Sequence, residues 1–381
     1  MKRGAFVKSP AIRGILVLLL VLLISSPAGF AFVRQWRPDV IVEGSGVVRT
    51  GKLSEYFEGI KGTANDPDYY LLEGSEPGGT MILWGGTHPV EPAAFLAPIL
   101  LIENARVTKG RIFIIPQINK SSFGTTKIGM GDIDTFSIKT PWGKRQFRFG
   151  GRGTNPIFSW PDPDVYTNFM TGQSLAGDES RNLNRTYPGR PNGYLTERLS
   201  FALIQMIKKE KADVAIDLHE APPDRPLCNA FAVHERAAEL ATLAMLNLES
   251  QGIKMRLEMS PKYLRGLSHR EIGDHTDAMA LLFETQSPYH GPLRGRADEA
   301  NLLTAKDQFL VLASKMGRTS VQHTEEGVPI DLRVARHVAS IVETANALDE
   351  LDPEKGITIE GAPTYQEMLE GIGKYFKQPD I

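Results

Sequence analysis

His88 and Glu91 are separated by two residues in Trp84-Gly85-Gly86-Thr87-His88-Pro89-Val90-Glu91-Pro92, directly after the apolar run Met81–Trp84. An imidazole and a carboxylate at that spacing can converge on one cation where the chain leaves a strand and turns into a helix at Pro92. Two more apolar runs end in reactive groups: Asp213–Leu218 delivers His219, within Asp217-Leu218-His219-Glu220, and Ala278–Phe283 delivers Glu284. In an open α/β sheet, ligands gather outside the carboxyl ends of the strands, so groups far apart in sequence meet there. Two histidines and one carboxylate, with a fourth position left to water, form a catalytic zinc set, whereas structural zinc fills all four positions and commonly uses cysteine. The chain has one cysteine, Cys228, so neither a cysteine-based metal site nor an intramolecular disulfide can form. Its setting, Pro226-Leu227-Cys228-Asn229-Ala230, reads as a small buried residue. The run Arg181-Asn182-Leu183-Asn184-Arg185-Thr186-Tyr187-Pro188-Gly189 interleaves arginines with amides. Such donors suit a carboxylate, because the guanidinium fork pairs both oxygens and keeps its charge.

The elements that must position these groups follow from the hydrophobic pattern. Gly79–Trp84 and Gly110–Pro116 read as buried strands around a helix, Pro92–Ala105, that is apolar on all sides, a strand–helix–strand unit that implies a parallel sheet. Val40–Val48 and Tyr69–Leu72 read as short strands forming an edge hairpin or a lead-in. Downstream the pattern predicts a helix over Tyr194–Lys211, the strand ending at His219, a short strand Asn229–Val233, a helix Arg236–Gln251 and an extended piece Ile253–Glu258. The strand ending at Glu284 and two helices, Asp298–Met316 and Asp331–Leu351, complete the pattern. The expected class is α/β: a mixed, largely parallel sheet flanked by helices on both faces, with the site at the carboxyl edge. Between 117 and 180 periodicity vanishes while aromatic residues recur, which predicts a functional loop folded over the sheet edge as a lid or pocket wall, or a satellite core beneath it. One domain over 40–355 and a loosely held tail over 356–381 are expected.

The chain has 381 residues, of which 41% are hydrophobic and 23% charged, with a formal net charge of −2. That composition excludes disorder and gives no electrostatic case for nucleic acid, leaving small molecules or peptides as partners. No Gly-x-Ser-x-Gly elbow supports a serine nucleophile. Residues 1–31 depart from the average: Lys2, Arg3, Lys8 and Arg13 precede the apolar run Ile15–Ile24 and then small residues. This is the pattern of a signal peptide, cleaved after Ala28 or Ala31, or of a retained N-terminal membrane anchor, and either places the domain outside the cytoplasm.

Taken in order, His-x-x-Glu, Asn-Arg-x-aromatic-Pro, a strand ending in His and a strand ending in Glu resemble the zinc carboxypeptidases of the carboxypeptidase A type. The chain is most similar to their relatives, the succinylglutamate desuccinylase and aspartoacylase family, over roughly Gly79–Gln286. The resemblance implies one Zn²⁺ per chain held by His88, Glu91 and His219, with Glu284 as general base toward the zinc-bound water. It also implies that Asn184 and Arg185 bind a substrate carboxylate, with Arg181 adding to that grip or polarising the scissile carbonyl. Tyr263, placed before Glu284 much as a substrate tyrosine is in the carboxypeptidases, is a further candidate. The implied activity is hydrolysis of an amide bond next to a carboxylate, in an N-acyl amino acid or at a peptide C-terminus. The alternative is a non-catalytic carboxylate- or peptide-binding protein that keeps the fold. Its motive is Asn182, where the family usually carries an Asp behind a ligand histidine; Asp217 or Glu220 could supply the missing charge. His269 and His275 read as solvated loop residues, and His234, His290, His323 and His337 show no ligand spacing.

Overall fold

The computed structural model describes residues 9–125 and 133–379, so Lys2, Arg3 and Lys8, and part of the 117–180 segment, lie outside the described residues. Met1–Asp39 and Val40–Ile381 form two compact units. In the first, helix α1 (Pro10–Trp36) extends well beyond the apolar run seen in the sequence, and its Pro10–Phe30 stretch is long and apolar enough to cross a membrane by length and composition.

In the second unit the chain forms β1 (Val47–Lys52), β2 (Asp68–Glu73), β3 (Glu76–Trp84), α2 (Pro92–Asn104) and β4 (Arg106–Ile115). Two small hairpins follow, β5 (Thr135–Thr140) with β6 (Gly143–Arg148) and β7 (Val165–Thr167) with β8 (Ser174–Ala176), then α3 (Leu183–Thr186) and α4 (Leu195–Lys209). Next come β9 (Val214–Ala221), β10 (Ala230–Val233), α5 (Ala238–Ser250), β11 (Arg256–Met259), α6 (Ser268–His275) and β12 (Met279–Gln286). Helices α7 (Glu299–Thr304), α8 (Gln308–Lys315) and α9 (Ile330–Leu351), strand β13 (Thr358–Glu360) and helix α10 (Tyr365–Leu369) complete the chain.

The main sheet has the order β1-β2-β4-β3-β9-β12-β10-β11, with β13 added on β4. Its centre, β4-β3-β9-β12, is parallel, while β2, β10 and β13 run antiparallel to their neighbours on it, so the sheet is mixed and mostly parallel. Alternation along the strands sorts side chains to two faces. Met81, Leu83, Ile112, Ile114, Ile216 and Leu218 meet α2, α5 and α9, and Ile82, Trp84, Phe113, Ile115 and Ala215 meet α4 and Ile272 of α6. Helix α2 is buried on every side, as its unbroken apolar sequence requires.

Several elements differ from the sequence expectation. Val40–Val48 is extended only at its end, where β1 begins, and helix α6 replaces an expected loop. The expected helix Asp298–Met316 is two helices, because Ala305 takes a left-handed conformation (φ 54) between them. The tail is not loose. β13 pairs with β4, and Met368, Ile372 and Phe376 enter the main core. Lys377 N–H donates to buried Glu103 (2.8 Å), which also pairs with buried Arg145 (2.7 Å). The aromatics between 117 and 180 divide. Phe123, Phe136, Phe147 and Phe149 join the main core, Phe123 meeting Phe95 of α2 edge-on at 5.1 Å, whereas Phe158, Trp160 and Phe169 are exposed.

One fully buried ion pair fixes the start of α2 to α9. Arg333 Nη1 donates to Glu220 Oε1 (2.5 Å), and Glu220 Oε2 accepts Ala93 N–H (2.9 Å). Removing one member strands a buried charge, which costs about 3–5 kcal/mol. Arg333→Met should lower the unfolding free energy by about that amount, as measured by urea denaturation; a change within experimental scatter would show that Glu220 finds another partner.

Candidate metal centre and active site

Parallel register brings the three motif-bearing strand ends together: Trp84 of β3 lies opposite Asp217 of β9, and His219 of β9 lies opposite Glu284 of β12. The chain can turn from β3 toward α2 only because residue 85 lacks a side chain, since a Cβ there would lie 1.9 Å from the Ala94 carbonyl oxygen. Gly86 follows at φ +71, a left-handed conformation that favours glycine. Glu91 then occupies the N-cap of α2 but does not cap it, and its carboxylate turns toward the histidines instead.

His88 Nδ1 lies 2.8 Å from Glu91 Oε1, and His219 Nδ1 lies 2.9 Å from Glu91 Oε2, all three residues being about 2% exposed. The opposite ring nitrogens point to supports. His88 Nε2 is 2.9 Å from Asn182 Oδ1, which also accepts Asn184 N–H (3.1 Å), while Asn182 Nδ2 donates to Glu179 Oε2 (2.7 Å). The amide is therefore oriented with its oxygen on the ring, so His88 carries its proton on Nε2 and turns an Nδ1 lone pair on Glu91. Two acceptors facing each other at 2.8 Å are an arrangement that a cation satisfies. His219 Nε2 is 3.0 Å from Asp217 Oδ2 but off the hydrogen-bond direction, so Asp217 supplies it charge more than aim. Asp217 is itself held by Thr87 Oγ1 (2.9 Å) and Ser268 Oγ (2.6 Å).

The electrostatics follow from burial against neighbours. Burial works to raise the Glu91 carboxyl, but His88 and His219 overcome it and hold the group well below the usual range. Burial lowers His88. Burial also works to lower His219, yet Asp217 and Glu91 together carry it well above its ordinary value. The donor set of two imidazole Nδ1 atoms and one carboxylate, with the candidate ligand atoms all within 4.8 Å of one another, fits a divalent cation of the zinc type.

Glu284 stands beside His219, and its buried Oε2 has no hydrogen-bond partner among the described residues; burial raises its carboxyl well above the ordinary range. Asn184 gives its Oδ1 to Ser268 N–H (2.8 Å), which ties it to the start of α6. Arg185 is largely buried, donates to the Asn184 carbonyl (2.6 Å) and has Glu179 at 3.8 Å as a loose ionic partner. Arg181 is differently placed: its fork closes on Asp162 (2.7 and 3.0 Å). Tyr263 is 78% exposed.

Three residues near the site escaped the sequence reading. The positive charge of Arg152 acts on His88, Arg185, Glu284 and His290, and its guanidinium has no hydrogen bond or ion pair among the described residues. Its Gly-Gly-Arg-Gly setting gave no pattern to read. His290 donates from Nε2 to the Glu220 carbonyl (2.7 Å) with Glu91 at 3.5 Å, and His269 is a buried residue of α6 in the fields of Asp217, His219 and Arg185. Glu220, committed to Arg333, supplies no charge to His88.

A profile of the succinylglutamate desuccinylase/aspartoacylase catalytic domain matches residues 173–284, which take in Asn182, Asn184, Arg185, His219 and Glu284 but not His88 and Glu91. No curated protein matches the chain. Among solved structures, a succinylglutamate desuccinylase from Silicibacter sp. TM1040 is 17% identical over 57% of this chain and 53% of its own, with a TM-score of 0.35. The chain thus spans about half the length of that protein. A metallo-carboxypeptidase from Burkholderia cenocepacia is 13% identical over 84% of this chain and 68% of its own, TM-score 0.42. The product-bound cell shape determinant protein Csd4 from Helicobacter pylori is 13% identical over 80% and 59%, TM-score 0.43. The profile match supports the resemblance to the succinylglutamate desuccinylase/aspartoacylase family over the segment it covers.

Burial pushes His269 and His337 down from 6.5 to about 3 each, so both stay neutral in the folded protein at pH values where the unfolded chain takes up protons. The folded state therefore loses stability as pH falls from about 6.5 toward about 3, by up to about 1.4 kcal/mol per pH unit for each group. Urea denaturation of metal-free protein between pH 7 and pH 5 should show this slope, and His337→Gln should make it shallower by one proton. An unchanged slope in the variant would mean that His337 titrates alike in both states.

Proposed function

We propose that the chain is an exported zinc-dependent hydrolase that cleaves an amide bond adjacent to a carboxylate, in an N-acyl amino acid or at a peptide C-terminus. The observation that carries this reading is the convergence of His88 Nδ1, the Glu91 carboxylate and His219 Nδ1, with Glu284, whose buried Oε2 has no hydrogen-bond partner among the described residues, on the next strand. Zinc held by His88, Glu91 and His219, one ion per chain, would supply Lewis acidity, lowering the pKa of a water to about 7 and polarising a carbonyl.

The chain's own residues do the rest. Glu284 is the proton carrier: a carboxyl raised by burial accepts a proton from water readily and can pass it to the leaving nitrogen. Arg185 and the Asn184 amide nitrogen, which has no partner among the described residues, hold the substrate carboxylate. Arg152, which has no hydrogen bond or ion pair among the described residues, takes the place in the grip that Arg181 gives up to Asp162. The clamp fixes the scissile bond against the Glu284 carboxylate, which is the proximity contribution. Small molecules or peptides with a free carboxylate are the substrates in this reading. In this reading the catalytic domain is the Val40–Ile381 unit, tail included, and the apolar helix serves as an export signal or anchor. The non-catalytic binder is favoured only by Asn182.

His88→Ala and His219→Ala should each abolish zinc uptake and hydrolysis together, read by elemental analysis and by release of amine from N-acyl amino acids and short peptides. Glu284→Gln should retain zinc and lose at least about 100-fold in kcat, the usual worth of a general base; full turnover in that variant would remove the mechanism. Blocking the substrate carboxylate as an amide should abolish cleavage, and Arg185→Ala should raise KM. Equal cleavage of free and blocked substrates would overturn the clamp.

A further inference from the structure

Asn182 leaves His88 with a neutral support, while His219 has the carboxylate of Asp217 beside it. A neutral amide aims a ring but adds little to its basicity as a ligand, and the carboxylates named from the sequence are both committed elsewhere, Asp217 to His219 and Glu220 to Arg333. The charge is found one step further out. Glu179 Oε2 accepts the Asn182 Nδ2 proton at 2.7 Å, and Asn182 Oδ1 faces His88 Nε2 at 2.9 Å, a continuous carboxylate–amide–imidazole line ending at the candidate ligand atom. The same Glu179 Oε2 lies 3.8 Å from Arg185 Nε.

We propose that Glu179 is a positioning residue for the metal centre: it stands in for the carboxylate missing at residue 182, acting on His88 through the Asn182 amide, and it is shared with the substrate-binding arginine. The inference rests on the zinc reading above. Two physical effects support it. A carboxylate accepts only, so Glu179 forbids the flipped amide, in which Nδ2 would face the ring and remove the acceptor that keeps the His88 proton on Nε2. Hydrogen bonds in a line also polarise one another, so negative charge at Glu179 makes Asn182 Oδ1 a stronger acceptor and His88 Nδ1 a better donor to a cation. Asn182 is about 5% exposed, so water does not compete for the middle of the line. Sharing with Arg185 gives the arrangement a second consequence. A substrate carboxylate arriving at Arg185 draws the guanidinium's charge from Glu179 and frees that carboxylate to act on Asn182 alone.

The test is zinc affinity, measured on the purified full chain by competition with a chromogenic chelator, for wild type, Glu179→Gln, Asn182→Asp and the double variant. Glu179→Gln keeps the shape and an acceptor for Asn182 but removes the charge, and it should bind zinc about 10-fold more weakly, the lower end of the effect of such supports. Its metal-free thermal stability should match wild type, because Glu179 is partly exposed. Asn182→Asp alone should not bind more tightly than wild type, because the new carboxylate would face Glu179 Oε2 across the present 2.7 Å contact. Combining the two changes should restore the affinity lost in Glu179→Gln, since Gln can donate to Asp and the charge now sits directly on His88. Wild-type affinity in Glu179→Gln, or a double variant no tighter than Glu179→Gln, would overturn the inference while leaving the zinc reading intact. Absence of zinc uptake by the wild-type protein would remove both.

Discussion

The structure depends at its centre on keeping the Glu91 carboxylate charged where water does not reach it. A buried carboxylate without partners would take up a proton, and Glu91 avoids this chiefly through the donors on its Oε2. Oε1 faces His88, while Oε2 faces His219 and accepts the Glu220 backbone N–H at 3.1 Å. That one side chain therefore joins the turn after β3, the start of α2 and the end of β9. None of those segments could shift without leaving a charge unpaired in the interior. The same requirement explains why Glu91 leaves the N-terminus of α2 uncapped by its own side chain, and why Glu220 reaches across to hold the Ala93 N–H instead.

The sheet supplies the distances. Adjacent parallel strands place His219 and Glu284 side by side, and β3 next to β9 sets the His88 turn over the same edge. Antiparallel strands would carry their reactive ends to opposite edges, so the parallel centre is a condition of the site, while the antiparallel strands β1, β2, β10 and β13 extend and close the sheet around it. Buried apolar residues on both faces hold this centre rigid. A metal-type cluster gains from such rigidity, because ligands fixed before the cation arrives need not be ordered by it.

Residues that end strands were legible because a strand is announced by its own apolar run and its end fixes where the next side chains go. His88, Glu91, His219 and Glu284 were found on that basis, and so was the sheet class. What stayed hidden is partner choice. Nothing local to Arg181 shows that Asp162 closes on it, and nothing near Glu179 shows that its oxygen meets the residue 182 amide. Arg152 sits among glycines and is placed by the loop's fold, not by any periodicity. Helix α6 was missed because polar residues such as His269, Arg270 and Glu271 are buried in it, which inverts the usual hydrophobic signal. Arg270 and Glu271 are held by ion pairs, Arg270 with Glu235 and Asp274 and Glu271 with Arg265, that only the tertiary structure assembles.

Charge around the site is unevenly matched, and the mismatch argues for the kind of molecule it receives. Burial lowers the Arg185 guanidinium's hold on its proton; Glu179 works against that, and the nearby Arg152 charge adds to it. Two guanidiniums that raise each other's energy, one with only a loose partner and the other with none among the described residues, are both relieved by a single anion placed between them. A neutral ligand would relieve neither. A second cation would add to the strain. The unsatisfied positive charge thus favours an anion, which the carboxylate of the proposed substrate would supply.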